Sequence, residues 1–167
     1  MTKDEAFNTA KNNFLNGYNC SQSVLLTFAD ELGFNKEQAL KLSQGFGGGM
    51  CRLRETCGCV TGMIMALGFV EGSSDSHDKA AKDNLYKDGQ ELVKKYQEIN
   101  GSFLCKELLG LVPKGSTSTF LNKNTVSGDA SVPVSEERTQ EYYKKRPCPE
   151  LCGIAASIFQ EYLDSRK

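Results

Sequence analysis

The 167-residue sequence has no tryptophan, one histidine (His77), four prolines and no excess of either charge sign. A lone histidine excludes bis-histidine haem ligation and multi-histidine zinc sites. Twenty Lys and Arg stand against 21 Asp and Glu, a formal charge of −1. That balance gives no electrostatic case for a nucleic-acid partner. No apolar run reaches the roughly 18 residues that a membrane span needs. The opening Met1-Thr2-Lys3-Asp4-Glu5 has neither an apolar signal region nor a twin arginine, so a cytoplasmic location is expected. No alternating apolar and polar segment argues for a sheet, and no internal repeat is visible. At 39% hydrophobic residues, the chain fits one globular domain over residues 1–167.

What the sequence does have is cysteine: Cys20, Cys51, Cys57, Cys59, Cys105, Cys148 and Cys152. Seven in 167 is about 4%, well below a disulfide scaffold. An odd number of thiols without a secretion signal points to reduced cysteines in metal or redox chemistry.

The periodicity is helical almost throughout and predicts an all-α bundle of six to eight helices. Ala6, Ala10 and Phe14 mark the first. Asn19 caps a second that carries Val24, Leu25, Phe28, Ala29 and Leu32 and closes at Gly33. Asn35 caps a short third through Leu42, followed by the cluster Gly45-Phe46-Gly47-Gly48-Gly49. A fourth, from Thr56 to Gly68, is apolar nearly all round and belongs in the middle of the fold. Ser73 to Asp78 starts a long fifth with Leu85, Leu92, Tyr96 and Ile99 on one face, ending at Asn100-Gly101. Ser102 caps a sixth that ends near Gly110. Residues 114–133 read as a flexible surface loop. Ser135-Glu136-Glu137 opens a polar seventh helix, and Pro149 stands as the first residue of an eighth that buries Leu151, Ala155, Ile158 and Tyr162.

Four cysteines fall at helix starts: Cys20, Cys57, Cys105 and Cys148. Unpaired backbone N–H groups and the helix dipole favour a thiolate there. Intervals of 37, 48 and 43 residues separate them, each holding two predicted helices. In an up-down bundle, advancing by two helices returns the chain to the same end. Four thiolates converging there would make a cage for a soft metal. Cys57 and Cys59 lie about 200° apart on an ideal helix, so both face one centre only if that helix starts later. Cys148 and Cys152 share a face as i, i+4 neighbours, and Cys51 lies in the loop after the glycines. The competing reading treats free cysteine as a small buried hydrophobe, and it weighs most for Cys152.

Other features carry less chemistry. The glycine cluster lacks the Gly-Lys-Ser/Thr ending of a phosphate loop and follows a helix instead of a strand. It reads as a helix stop that allows close backbone approach to a buried centre. Gly58 and Gly62 make a smooth strip for close helix packing. His77 sits in a polar helix start and reads as solvated. Arg52, Arg54 and Glu55 either tune a nearby thiolate or form a surface salt bridge. Structural zinc prefers cysteines in close pairs, whereas these four are singletons.

Asn19-Cys20-Ser21-Gln22-Ser23-Val24-Leu25, Gly45-Phe46-Gly47-Gly48-Gly49-Met50 and Glu55-Thr56-Cys57-Gly58-Cys59-Val60-Thr61-Gly62 resemble the C_GCAxxG_C_C family of redox-active proteins. Cys105-Lys106-Glu107-Leu108-Leu109-Gly110 and Cys148-Pro149-Glu150-Leu151 resemble its last two cysteine blocks. The domain is also similar to the cluster-bearing part of split-Soret cytochromes. The resemblance implies Cys20, Cys57, Cys105 and Cys148 as ligands of a redox metal centre, with an iron–sulfur cluster favoured. It also implies electron transfer or redox sensing with a redox partner protein. Cys59 stands where the family usually has alanine, and Cys51 and Cys152 are additional, so all three are further candidate ligands. Alternatives are a zinc site, a metal-free thiol–disulfide oxidoreductase or sensor using Cys57/Cys59 or Cys148/Cys152, and a non-catalytic helical binding module with core cysteines. Whether the chain is an enzyme, and whether it forms a homodimer, are left open.

Overall fold

A computed structural model describes residues 1–115 and 132–166. Sixteen residues of the predicted 114–133 loop, 116–131, lie outside the described residues. Among those described there are nine helical segments and no strand, so the chain is all-α. They are α1 Lys3–Leu15, α2 Cys20–Thr27, α3 Ala29–Leu32, α4 Lys36–Gln44, α5 Gly58–Glu71, α6 Lys79–Asn100, α7 Cys105–Leu108, α8 Gln140–Lys145 and α9 Cys148–Asp164. None is long and apolar enough to cross a membrane.

Local chemistry sets most of these boundaries. Thr2 and Glu5 form a reciprocal capping box at α1, and Asn19 and Gln22 do the same at α2, each such cap being worth about 1 kcal/mol. Asn35 and Asp78 cap α4 and α6, while Gly33 and Gly101 close α3 and α6.

Three predicted helices differ in extent. The second is broken at Phe28 into α2 and α3. Buried Thr27 donates its hydroxyl to the Ser23 carbonyl at 2.8 Å, a back-bond that bends helices. The sixth shrinks to α7, because Ser102 does not cap it. An isolated bridge between Thr56 and Leu104 holds the backbone extended as far as residue 104. The seventh begins at Gln140 with Thr139 as its cap and not at Ser135. Upstream, Glu136 is drawn away by arginines.

Helix α5 occupies the interior position that its all-round apolarity requires, packing on α2, α6 and α9. Helix α9 also lies along α1 and α2. The core is built from Phe14, Val24, Phe28, Met63, Leu67, Tyr96 and Phe159. Phe28 meets Phe159 edge to face, with centroids 4.8 Å apart, the preferred aromatic geometry. Small residues let α2 and α5 approach closely: a Cβ on Gly62 would stand 2.6 Å from the Ser21 carbonyl oxygen.

Candidate metal centre

The structure places Cys20 at the first residue of α2, Cys57 at the N-cap of α5, and Cys105 and Cys148 at the first residues of α7 and α9. The starts of α5 and α7 are tied together by backbone. The Cys57 amide donates to the Phe103 carbonyl at 2.9 Å, and the Cys105 amide donates to the Glu55 carbonyl at 2.7 Å. Because α5 begins only at Gly58, Cys57 stays outside the helical spiral in extended geometry (φ −56°, ψ 135°). The condition under which Cys57 and Cys59 can face one region is therefore met.

Six of the seven cysteines are buried, and Cys51 is exposed. The sulfur atoms of Cys20, Cys59 and Cys152 all lie within 4.8 Å of one another. Within that group Cys59 Sγ and Cys152 Sγ are 3.5 Å apart, and Cys152 Sγ is 3.8 Å from the Cys20 carbonyl oxygen. Cys148 interacts electrostatically with Cys20, and Cys57 with Cys59. Cys57 Sγ also lies 3.7 Å from the hydroxyl of buried Tyr96. Arg54 Nη1 donates to Cys105 Sγ at 3.9 Å. The triad formed with Cys59 and Cys152 was not visible in the spacing, since Cys59 and Cys152 meet only through the packing of α5 on α9.

The electrostatics divide these thiols sharply. Hydrogen bonds from Cys148, Cys152 and Cys59 hold Cys20 well below the usual thiol range, against the opposing effect of burial. Cys148 is pushed well up by donating to Cys20 and by burial, while burial first of all raises Cys59 and Cys152. Burial pushes Cys105 up to about 12, partly offset by Arg54. Metal binding at such a site would require its ligating thiols to lose their protons.

A cavity of about 510 Å³ opens onto this cluster and is lined by Cys20, Cys105, Cys148 and Cys51 among others. One wall is a left-handed turn: Gly48, Gly49, Met50, Cys51 and Arg52 all have φ between 49° and 72°, and Arg54 follows at 63°. Four of these are not glycine, and each such residue costs about 1–2 kcal/mol in this conformation. The turn sets Gly49 directly against the centre, where an added Cβ would lie 2.7 Å from Cys105 Cβ. Gly58 abuts Cys20 in the same way at 2.9 Å. Arg54 is buried (5% exposed), so the surface-salt-bridge reading fails for it. Beneath the bridge, buried Lys106 pairs with Glu55 at 3.2 Å. His77 is exposed and belongs neither to the cysteine group nor to the cavity lining.

Residues 18–162 match the family model described as "Putative redox-active protein (C_GCAxxG_C_C)". The chain belongs to this family. The match spans all seven cysteines, the left-handed turn and the arginine-bearing wall. No curated protein and no solved structure matches the chain. Arg138, Arg146 and Glu136, which complete the cavity of this C_GCAxxG_C_C member, carry no periodic or motif signal in the sequence.

Proposed function

We propose that the chain holds a thiolate-ligated redox centre, an iron–sulfur cluster, among its buried cysteines. The observation that carries this reading is the group of Cys20, Cys59 and Cys152, whose sulfurs lie within 4.8 Å of one another, in a chain with three further buried cysteines. The donor set suits such a cluster. Thiolate sulfur is the usual ligand of iron–sulfur centres. Arg54 beside Cys105 and the arginines lining the cavity supply positive charge toward an anionic cluster, one of the means by which a protein sets its potential. Cys20, Cys57, Cys105 and Cys148 are the proposed ligands, with Cys59 and Cys152 behind them. Cys20 belongs to both groups. The cluster would supply one-electron chemistry, for electron transfer to a partner protein or for redox sensing. Free thiols in this number suit a reducing, cytoplasmic compartment.

Anaerobic purification followed by iron, zinc and acid-labile sulfide analysis tests the reading. Iron and sulfide in comparable amounts, with visible absorbance that bleaches on reduction, support it. Negligible iron after reconstitution overturns it, and stoichiometric zinc without sulfide replaces it by a structural metal site.

A second reading is favoured by one distance. The 3.5 Å contact of Cys59 with Cys152 suits a thiol–disulfide couple that works without metal. A reversible intramolecular disulfide under defined redox poise, in protein that takes up no iron, would support it.

A further inference from the structure

We infer that the cavity over the cysteines is a binding site for a small oxyanion of charge −2. The inference rests on the reading above only for what lies at the cavity floor. Among the described residues, the cavity walls carry four guanidinium groups, Arg52, Arg54, Arg138 and Arg146, and a single carboxylate, Glu136. Its volume of about 510 Å³ lies within the range of small-molecule sites.

The guanidinium groups are held before any ligand arrives. Arg54 is buried. Arg138 lies over the Phe14 ring at 4.4 Å and the Tyr142 ring at 5.0 Å. It also donates to the carbonyl of Phe14 in the last turn of α1 and to that of Tyr18 just beyond the helix, at 3.4 and 3.2 Å. Arg52 donates to the Val132 carbonyl at 3.0 Å. Fixed guanidinium forks match planar or tetrahedral oxyanions with little ordering cost.

Glu136 shows what the site prefers. Its Oε1 is the common partner of three guanidiniums: Arg52 at 3.1 Å, Arg54 at 3.8 Å, and Arg146 in close contact. These come from two separate stretches of chain, the left-handed turn and the segment leading into α9. The chain's own carboxylate thus occupies the place of an anionic ligand, and one negative charge leaves the wall cationic. A dianion entering beside or in place of Glu136 would sit above Cys20, Cys105 and Cys148.

Calorimetric titration of the full-length, anaerobically purified protein with sulfate and with malonate, at ionic strength held constant by chloride, tests the inference. Iron is assayed in the same samples. Saturable binding of either anion is expected. It should weaken at least tenfold in an Arg52→Gln/Arg146→Gln variant and tighten several-fold in Glu136→Gln, which removes the internal competitor. The Glu136→Gln result separates ligand binding from a structural role, because an ion-pair network serving only the fold predicts no gain. Absence of saturable binding of both anions, in wild type and in Glu136→Gln, overturns the inference. If that happens in iron-replete protein, the cluster reading stands alone. Anion binding in protein that takes up no iron keeps the oxyanion site and removes the cluster.

Discussion

Cys59 on α5 and Cys152 on α9 bring their sulfur atoms to 3.5 Å at a point where neither residue has any exposure. Bond formation would draw the sulfurs to about 2.05 Å, a movement small enough for side-chain rotation within the core. Spacing alone suggests two other pairs, Cys57/Cys59 and Cys148/Cys152. When metal-free protein is oxidised with diamide and digested after alkylation, the dominant disulfide is expected to join residues 59 and 152. A dominant bridge within either of the local pairs would contradict this.

The two overlapping sulfur groups make different demands on metal binding. If Cys20, Cys57, Cys105 and Cys148 ligate, then Cys105→Ala removes bound iron and sulfide while Cys59→Ala and Cys152→Ala leave them near wild type. If the metal sits in the Cys20, Cys59 and Cys152 triad, the pattern reverses. Cys20→Ala abolishes loading in either case. The first pattern is expected, read as iron and sulfide per chain after anaerobic reconstitution, and retention of metal in Cys20→Ala would defeat both assignments.

Much of this architecture could be read from local signals. Asn19 with Gln22 three residues later writes a capping box, and the apolar run from Val60 to Leu67 leaves no polar face for solvent, so both elements were legible. The segments that departed from expectation are those where tertiary contacts override local preference. Ser102 looks like a cap, yet its hydroxyl accepts the Leu104 amide at 3.0 Å and donates to Glu107. The pairing of Thr56 with Leu104 delays the helix to Cys105. Met50, Cys51, Arg52 and Arg54 all sit in the left-handed region, which no propensity of theirs suggests. The arginine wall was hidden for a related reason, because Arg52 and Glu136 are 84 positions apart and only the folded chain brings their charges together.

The glycines pressed against the cysteines should be far less replaceable than one in open space. In Gly49→Ala the new Cβ meets Cys105 Cβ and the Glu55 amide nitrogen, each at 2.7 Å, at a φ of +72°. Overpacking and left-handed strain together predict a loss of about 2–4 kcal/mol. Gly58→Ala, 2.9 Å from Cys20 Cβ, should lose about 1–3 kcal/mol. Gly68, also in α5, has nothing within 4 Å, so Gly68→Ala should gain about 0.5–1 kcal/mol from helix propensity. Urea unfolding of the three variants checks the order. Equal effects at Gly49 and Gly68 would show that the turn does not press on Cys105.

Acid should loosen the arginine wall through one residue. Burial raises the Glu136 carboxyl, but Arg146, Arg52 and Arg54 outweigh it and hold the group below its ordinary value. A carboxylate depressed in the folded state stabilises above its unfolded pKa, about 4.3, and that stabilisation is lost as pH falls through the lower folded value. Wild-type protein should therefore exceed Glu136→Gln in stability at pH 7, and the gap should close progressively below about pH 4. Chemical unfolding of both proteins in metal-free form across pH 3 to 7 measures it. A gap that persists unchanged at pH 3 would mean that the three guanidiniums do not depend on the ionised carboxylate.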